Sequence, residues 1–372
     1  MGRVPQAGEF GVRTSLADIH PHMLPSLWNC EEDDRLVCRA IIDETHDVKS
    51  FVLAPPVPQL FHFAPGQFLT FELPVGGSKL NRCYTLSSAP TRPHTLSITV
   101  KRKVGGVVSN WLHDKLRVGD TIRAAGPMGN FSTEVHPCEK RLFLSGGSGI
   151  TPLMAMARYD HDLGADPDTI FVHCARTPAD IIFRQELELM AQRCSRLQVT
   201  HLVESVTGEP GWSGHCGRIS RGFLDVVAPD FREREIFCCG PGPFMAAVRH
   251  LLQEAGFSMT RYHEESFVFE ERTPVSQDPP PQAAAKIHTI TFRRSGRSLR
   301  CDESTTILAA ARTAGLRLPS SCTKGLCGTC KSRKISGEVD MAHAGGIRQR
   351  EIDQGFILLC CSRPRGDVVI DR

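Results

Sequence analysis

The chain has 372 residues, of which 41% are hydrophobic and 23% charged, with a formal charge of +3. That length suits two or three domains with cores of their own, and the composition is that of a globular protein. No apolar run argues for a membrane span, and the interspersed charges give no basic footprint for nucleic acid.

Fifteen cysteines would suit a disulfide framework in a secreted protein, but Met1-Gly2-Arg3-Val4-Pro5-Gln6 lacks the apolar stretch of a signal peptide. Reduced thiols and a cytoplasmic location are expected. Residues 1–28 scatter Pro, Gly and His without periodicity and read as an irregular arm. From Leu36 to Val135 short apolar runs alternate with Gly/Pro turns, at Leu36–Ile42, Ser50–Leu53, Gln67–Leu73 and Leu96–Lys101. Closely spaced strands of this kind predict a small antiparallel β-barrel over residues 29–137. After Pro137 the pattern becomes strand, glycine loop, helix. Strands are expected at Arg141–Ser145, Thr169–Cys174, Leu197–Val203 and Glu235–Cys238, and a helix over Thr151–Tyr159. The alternation predicts an α/β doubly wound, mainly parallel sheet over residues 138–270. Residues 271–285, with Pro279-Pro280-Pro281 and Ala283-Ala284-Ala285, read as a linker that buries no core. Residues 286–372 open on a hairpin (Lys286–Phe292, Ser298–Cys301) and a helix (Thr306–Ala314), an α+β unit.

That last unit carries the strongest chemical signal. Cys322, Cys327, Cys330 and Cys360 are spaced C-x4-C-x2-C, then 29 residues, then the fourth cysteine. This is the ligand spacing of a plant-type 2Fe-2S cluster. Gly325 and Gly328 let the loop turn closely around inorganic sulfide. Zinc is the competing metal, but structural zinc sites pair two short knuckles, and the second knuckle is missing.

Within the barrel, Arg82-Cys83-Tyr84-Thr85 on a strand puts Arg82 and Tyr84 on one face and Thr85 on the other. A flavin nucleotide needs such a set: a cation for its pyrophosphate, an aromatic plane for its ring and a hydroxyl near N5. The alternative is an ordinary strand. Gly105-Gly106-Val107-Val108-Ser109-Asn110 precedes Trp111-Leu112, where a helix is expected to begin, and offers either a phosphate site or a plain turn. Ser145-Gly146-Gly147-Ser148-Gly149-Ile150-Thr151-Pro152 follows an apolar strand and opens a helix, with Thr151 as N-cap and Pro152 as N1. The geometry suits a dinucleotide phosphate, although the loop is not a G-x-G-x-x-G. Cys239-Gly240-Pro241 ends the fourth strand, so both loops should meet at the carboxyl edge of the sheet.

Taken together, R-x-Y-T-L-S-S, G-G-x-x-S, G-P-x-G-x-F, G-G-S-G-I-T-P, C-G-P and the cysteine spacing resemble the ferredoxin-NADP reductase superfamily with a fused C-terminal ferredoxin domain. The resemblance covers about residue 30 to the end and implies a β-grasp fold for the last unit. It implies FAD on Arg82, Tyr84 and Thr85, with Thr99, Lys101, Gly106, Val107 and Ser109 around it. It places NADH, with NADPH as the alternative, on Gly146, Gly147, Ser148, Gly149 and Thr151 and near Arg176. Cys239, Gly240 and Pro241 then lie beside the nicotinamide, and Glu265-Ser266-Phe267 covers the flavin; an edge strand is the other reading of that segment. Leu27-Trp28-Asn29, Glu31-Glu32-Asp33-Asp34, Asp43 to Lys49 and Val107 to Asp114 are most similar to reductases that serve a Rieske-type oxygenase. The implied oxygenase demethylates glycine betaine or a related quaternary amine.

The expected activity is electron transfer from NAD(P)H through FAD and the cluster to that oxygenase. Thr85 is expected to tune flavin N5 and Cys239 to shape the nicotinamide pocket. Lys324, Lys331, Arg333 and Lys334 offer a basic rim for an acidic acceptor, or merely a solvated face. A hybrid-cluster protein or another oxygenase are rival acceptors, and a non-enzymatic redox sensor is the rival class. Arg176 alone is thin support for a 2′-phosphate, which favours NADH.

Overall fold

A computed structural model describes residues 25–372 apart from 31, 268–285, 317, 319–324, 326, 327, 329, 344, 345 and 348. Strands β1 (Arg35–Thr45), β2 (Val48–Ala54), β3 (Phe68–Val75), β4 (Ser78–Thr85) and β5 (Leu96–Lys101) come first. Helix α1 (Val107–Asp114) and strand β6 (Thr121–Met128) follow. They form an antiparallel sheet in the order β4-β3-β6-β1-β2-β5, and a Leu86–Ile98 bridge joins its two ends into a barrel. Alternation drives the closure: Phe51 and Leu53 on β2, and Leu69, Phe71 and Leu73 on β3, are fully buried in one core. Trp28, expected in the irregular arm, is also buried there, edge-on to Phe61 at 5.3 Å.

The second unit comprises β7 (Lys140–Gly146), α2 (Ile150–Leu163), β8 (Asp168–Ala175), α3 (Arg184–Arg193), β9 (Leu197–Val203) and β10 (His215–Cys216). It ends with α4 (Arg221–Val227), β11 (Glu235–Cys239), α5 (Gly242–Glu254) and β12 (Tyr262–Glu265). The sheet is parallel in the order β10-β9-β8-β7-β11-β12. Its chain order reverses beside β7, the place where ligands bind in open α/β sheets. Leu142 and Leu144 pack on one face of β7, while Phe143 packs on the other with Val48 and Phe131 of the barrel unit. The helix after the glycine loop begins at Ile150, behind a 3-10 turn at Gly147–Gly149, so Thr151 and Pro152 lie inside it. The expected Thr151 cap is therefore replaced by Gly149, because the tight turn already winds the chain into helical conformation.

The third unit contains β13 (Ile287–Phe292), β14 (Arg297–Asp302), α6 (Ile307–Thr313), β15 (Lys331–Ser336) and β16 (Val339–Met341). Helix α7 (Gln349–Asp353), β17 (Phe356–Leu358), β18 (Ser362–Pro364) and β19 (Val368–Ile370) complete it. The mixed sheet runs β14-β13-β19-β15-β17, with α6 against its core, started by a Thr306 side-chain cap on Ala309 N. Among the described residues no helix is long and apolar enough to cross a membrane.

Candidate active site

The carboxyl edge of the parallel sheet brings the two glycine-bearing loops into direct contact. A Cβ on Gly149 would stand 2.2 Å from the Cys239 carbonyl oxygen, and one on Gly240 would stand 2.7 Å from the Phe244 ring. A Cβ on Gly146 would meet Phe244 and Pro241 at 3.1 Å. Glycine is required at Gly149 and Gly240 because backbone packs on backbone there. Gly147 has φ +51. Thr151 is buried and its hydroxyl donates to the Ser148 carbonyl at 3.2 Å, bracing the turn rather than a ligand.

A row of polar side chains crosses the sheet just below these loops. Glu265, Cys239, Ser145, His173 and His201 are successive register partners on five strands. Cys239 is fully buried, and desolvation raises its thiol well above the ordinary range, so it is a neutral group and no nucleophile. Ser145 Oγ and His173 Nδ1 lie 2.8 Å apart, and burial holds His173 down to about 3. At the far end, Thr85 donates from Oγ1 to Glu265 Oε2 at 3.1 Å, across the junction between barrel and sheet. Burial pushes that carboxyl up to about 8, only partly offset by the Thr85 bond. A protonated carboxyl next to the hydroxyl expected at flavin N5 places a proton there while itself carrying no charge.

The register of β4 against β3 puts Arg82 opposite Phe71 and Tyr84 opposite Leu69, so both turn towards the barrel core side. Asn81, Cys83 and Thr85 take the outer side, as the strand reading required. Tyr84 packs at the core margin, tilted against Phe71 at 6.1 Å, and Arg82 Nη1 donates to the Asn81 carbonyl at 2.8 Å. Phe267, half-buried, packs against the core that the barrel unit and the parallel sheet share. Gly106 is the N-cap of α1, which begins at exposed Val107 rather than at Trp111. Ser109 Oγ accepts from Lys103 N at 3.1 Å, and a Cβ on Gly106 would stand 2.6 Å from it.

Three residues expected near cofactors have protein partners of their own. Thr99 Oγ1 lies 2.7 Å from Ser50 Oγ and 2.8 Å from Ser87 Oγ in a buried hydroxyl chain. Lys101 Nζ pairs with Asp47 at 3.2 Å and Asp180 at 3.8 Å, and Arg176 pairs with the same two carboxylates at 3.3 and 2.6 Å. This cluster ties the β1–β2 turn of the barrel to the loop after β8. Nothing in the sequence announces it, since the partners come from distant segments.

Of the four candidate cluster ligands, Cys322 and Cys327 lie outside the described residues. Cys330 and Cys360 are buried side by side, with the Cys360 amide donating to Cys330 Sγ at 3.4 Å. An amide aimed at sulfur suits a thiolate ligand, and two adjacent buried thiols, the third and fourth of the spacing, fit a four-cysteine cage. The basic rim is weaker than expected. Lys331 is bound to Glu351 at 2.6 Å and Lys334 to the Gly337 carbonyl, Arg333 is exposed, and Lys324 lies outside the described residues.

A barrel, a parallel sheet with interlocked glycine loops and a cysteine-bearing α+β unit define a flavin- and iron–sulfur-dependent oxidoreductase. Family models agree: an oxidoreductase FAD-binding domain matches residues 36–133, an oxidoreductase NAD-binding domain residues 143–250, and a 2Fe-2S iron-sulfur cluster binding domain residues 290–365. The chain is 46% identical over 343 residues to the glycine betaine monooxygenase reductase subunit of Pseudomonas aeruginosa, covering 90% of this chain and 94% of that protein. It is 45% identical to the stachydrine N-demethylase reductase subunit of Rhizobium meliloti, covering 93% and 98%. Among solved structures, phthalate dioxygenase reductase superposes with a TM-score of 0.55 at 28% identity, over 93% of this chain and 100% of that one. The chain belongs to the family of ferredoxin-NADP reductase-like oxygenase reductases that carry FAD, bind a nicotinamide dinucleotide and hold a 2Fe-2S cluster.

Proposed function

We propose that this reductase feeds a Rieske-type oxygenase that demethylates glycine betaine or a related quaternary amine. The observation that carries the reading is the near full-length identity to reductase subunits named for glycine betaine and stachydrine. FAD, when bound, accepts a hydride from the nicotinamide and releases its two electrons singly to the cluster. The protein's own residues supply position. Gly146, Gly147, Ser148, Gly149, Gly240 and Pro241 hold the dinucleotide, with Cys239 as an uncharged wall beside the nicotinamide. Arg82, Tyr84 and Thr85 hold the flavin, backed by Phe267, and Glu265 sustains the proton balance through Thr85. Cys322, Cys327, Cys330 and Cys360 hold the cluster.

NADH is the preferred donor in this reading, because the Arg176 guanidinium is already held by Asp47 and Asp180. Domain limits of 29–137, 138–270 and 286–372 belong to the same proposal. So does a cytoplasmic setting, which the free thiols of the described cysteines favour.

Anaerobic titration with NADH should bleach flavin and cluster absorbance, and the reduced protein with its oxygenase should release formaldehyde from glycine betaine. Bleaching without formaldehyde from any quaternary amine would discard the acceptor. A lack of bleaching by NADH or NADPH would discard electron transfer itself.

A further inference from the structure

The outer face of β4 touches both of the barrel's neighbours. Thr85 reaches Glu265 of the parallel sheet, and Asn81, on the same face of the strand, donates from Nδ2 to the Gly328 carbonyl at 3.4 Å. Gly328 lies between Cys327 and Cys330. Four residues of strand at about 3.3 Å each separate Asn81 from Thr85, or about 13 Å. The strand that carries the flavin residues is therefore also the strand that meets Gly328.

What holds the loop there is polar. Asp34 of the barrel is nearly buried and accepts from two guanidiniums, Arg123 of β6 at 2.8 Å and Arg350 of α7 at 2.9 Å. Arg123, Glu72 and Asn81 are register partners across β6, β3 and β4, so Asp34 and Asn81 border one patch. On the other side, Glu351, next to Arg350, binds Lys331, next to Cys330. The Gly346 amide donates to the Gly325 carbonyl at 2.9 Å, and a Cβ on Gly328 would stand 2.7 Å from the Gly346 carbonyl oxygen. A force on Arg350 is thus delivered to the cysteine loop through α7 and the Glu351–Lys331 pair.

We propose that Arg350 is a positioning residue for the passage of electrons from flavin to cluster. Its pairing with Asp34 docks the C-terminal unit on the barrel and sets the gap between β4 and the cysteine loop. The inference rests on the reductase reading above. Each turnover moves two electrons from NADH, singly: an iron of the cluster goes from ferric to ferrous and is reoxidised by the acceptor, twice, and the flavin's proton leaves to solvent. Arg350 takes no part in bond making. An ion pair with one partly exposed member is weak and screened by salt, so docking and undocking lie close in free energy.

The test is stopped-flow reduction of the holoenzyme by NADH, following flavin and cluster bands separately, together with small-angle X-ray scattering at low and high salt. For R350A, flavin reduction and its dependence on NADH should match the unaltered protein, while cluster reduction slows about two- to fivefold at low salt. R350E, which sets a carboxylate against Asp34, should slow it further and raise the radius of gyration; R350K should restore most of the rate. Salt should slow cluster reduction in the unaltered protein and lose that effect in R350A. N81A, which leaves both members of the ion pair in place, is the second variant and should also slow only the cluster phase. Cluster reduction as fast in R350E as in the unaltered protein, with the same radius of gyration, would overturn the proposal. So would equal slowing of both phases, the mark of a general structural defect. Failure of both NADH and NADPH to bleach the flavin of the unaltered protein would overturn the reductase reading and this inference with it.

Discussion

Where the barrel meets the parallel sheet, the two units share a core. Val48 and Phe131 pack with Phe143, Phe171 and Phe237, and the Asp47–Lys101–Asp180–Arg176 cluster and the Thr85–Glu265 bond seal the margin. Where the same barrel meets the C-terminal unit, the contact is carried by the Asp34–Arg350 pair and the Asn81 amide, around a cleft also lined by Glu72 and Lys331. Hydride transfer needs two rings in van der Waals register, which a shared core fixes. Electron transfer needs only a short gap, and a polar dock suffices. The first junction is an apolar core with a charged margin, whereas the contacts described at the second are polar.

The contrast is drawn most sharply by Cys360→Ser. Removing one thiolate should abolish iron binding and electron delivery to a one-electron acceptor, yet leave NADH-driven flavin bleaching, as read by iron content and visible spectra. Full iron retention would remove Cys360 from the ligand set.

Acid should act on the first junction's sheet. Burial holds His173 down to about 3 and His201 to about 4, so both are neutral when folded, whereas unfolded histidine binds a proton near 6.5. Stability is therefore full above pH 6.5 and falls as the pH drops towards 4 and then 3, by roughly 1.4 kcal/mol per unit for each histidine at most. Urea titrations at pH 7 and pH 5 measure the slope, and H201Q should flatten it; an unchanged midpoint would contradict the buried neutral pair.

Gly149→Ala attacks the contact of the two loops. Its Cβ has no room beside the Cys239 carbonyl, so a loss of about 1–3 kcal/mol and a raised KM for NADH are expected. Normal stability with normal KM would mean the loops part easily. The smallest effect is expected for Thr85→Ala, about 1 kcal/mol in stability from the lost bond to Glu265, with slower flavin reduction but an unchanged cluster phase.

Much of the fold was legible from local pattern. Alternating apolar residues marked β1, β2, β3 and β5, and the strand–glycine–helix succession marked the parallel sheet, because periodicity reports which face each residue buries. Strands β4 and β6 carry too many polar residues for that signal: Asn81 and Arg82 on one, Arg123 on the other. Helix α1 starts at Val107, ahead of the Trp111 expected from the sequence, where β-branched Val107 and Val108 give no helix signal.

By itself the sequence determined the order of the three units, the cysteine spacing, the glycine loops and the R-x-Y-T strand, since each is set by residues close together in the chain. Tertiary structure alone decided which side chains meet across the junctions. Thr85 finds Glu265 across 180 residues and Asp34 finds Arg350 across 316, and neither pair has a local signature. It also decided that Arg176 and Lys101 neutralise Asp47 and Asp180, and that Lys331 binds Glu351 rather than facing solvent. A charge in a sequence carries no address; its partner is fixed only when packing of the cores brings distant segments to within a few ångströms, where Coulomb attraction becomes strong enough to choose.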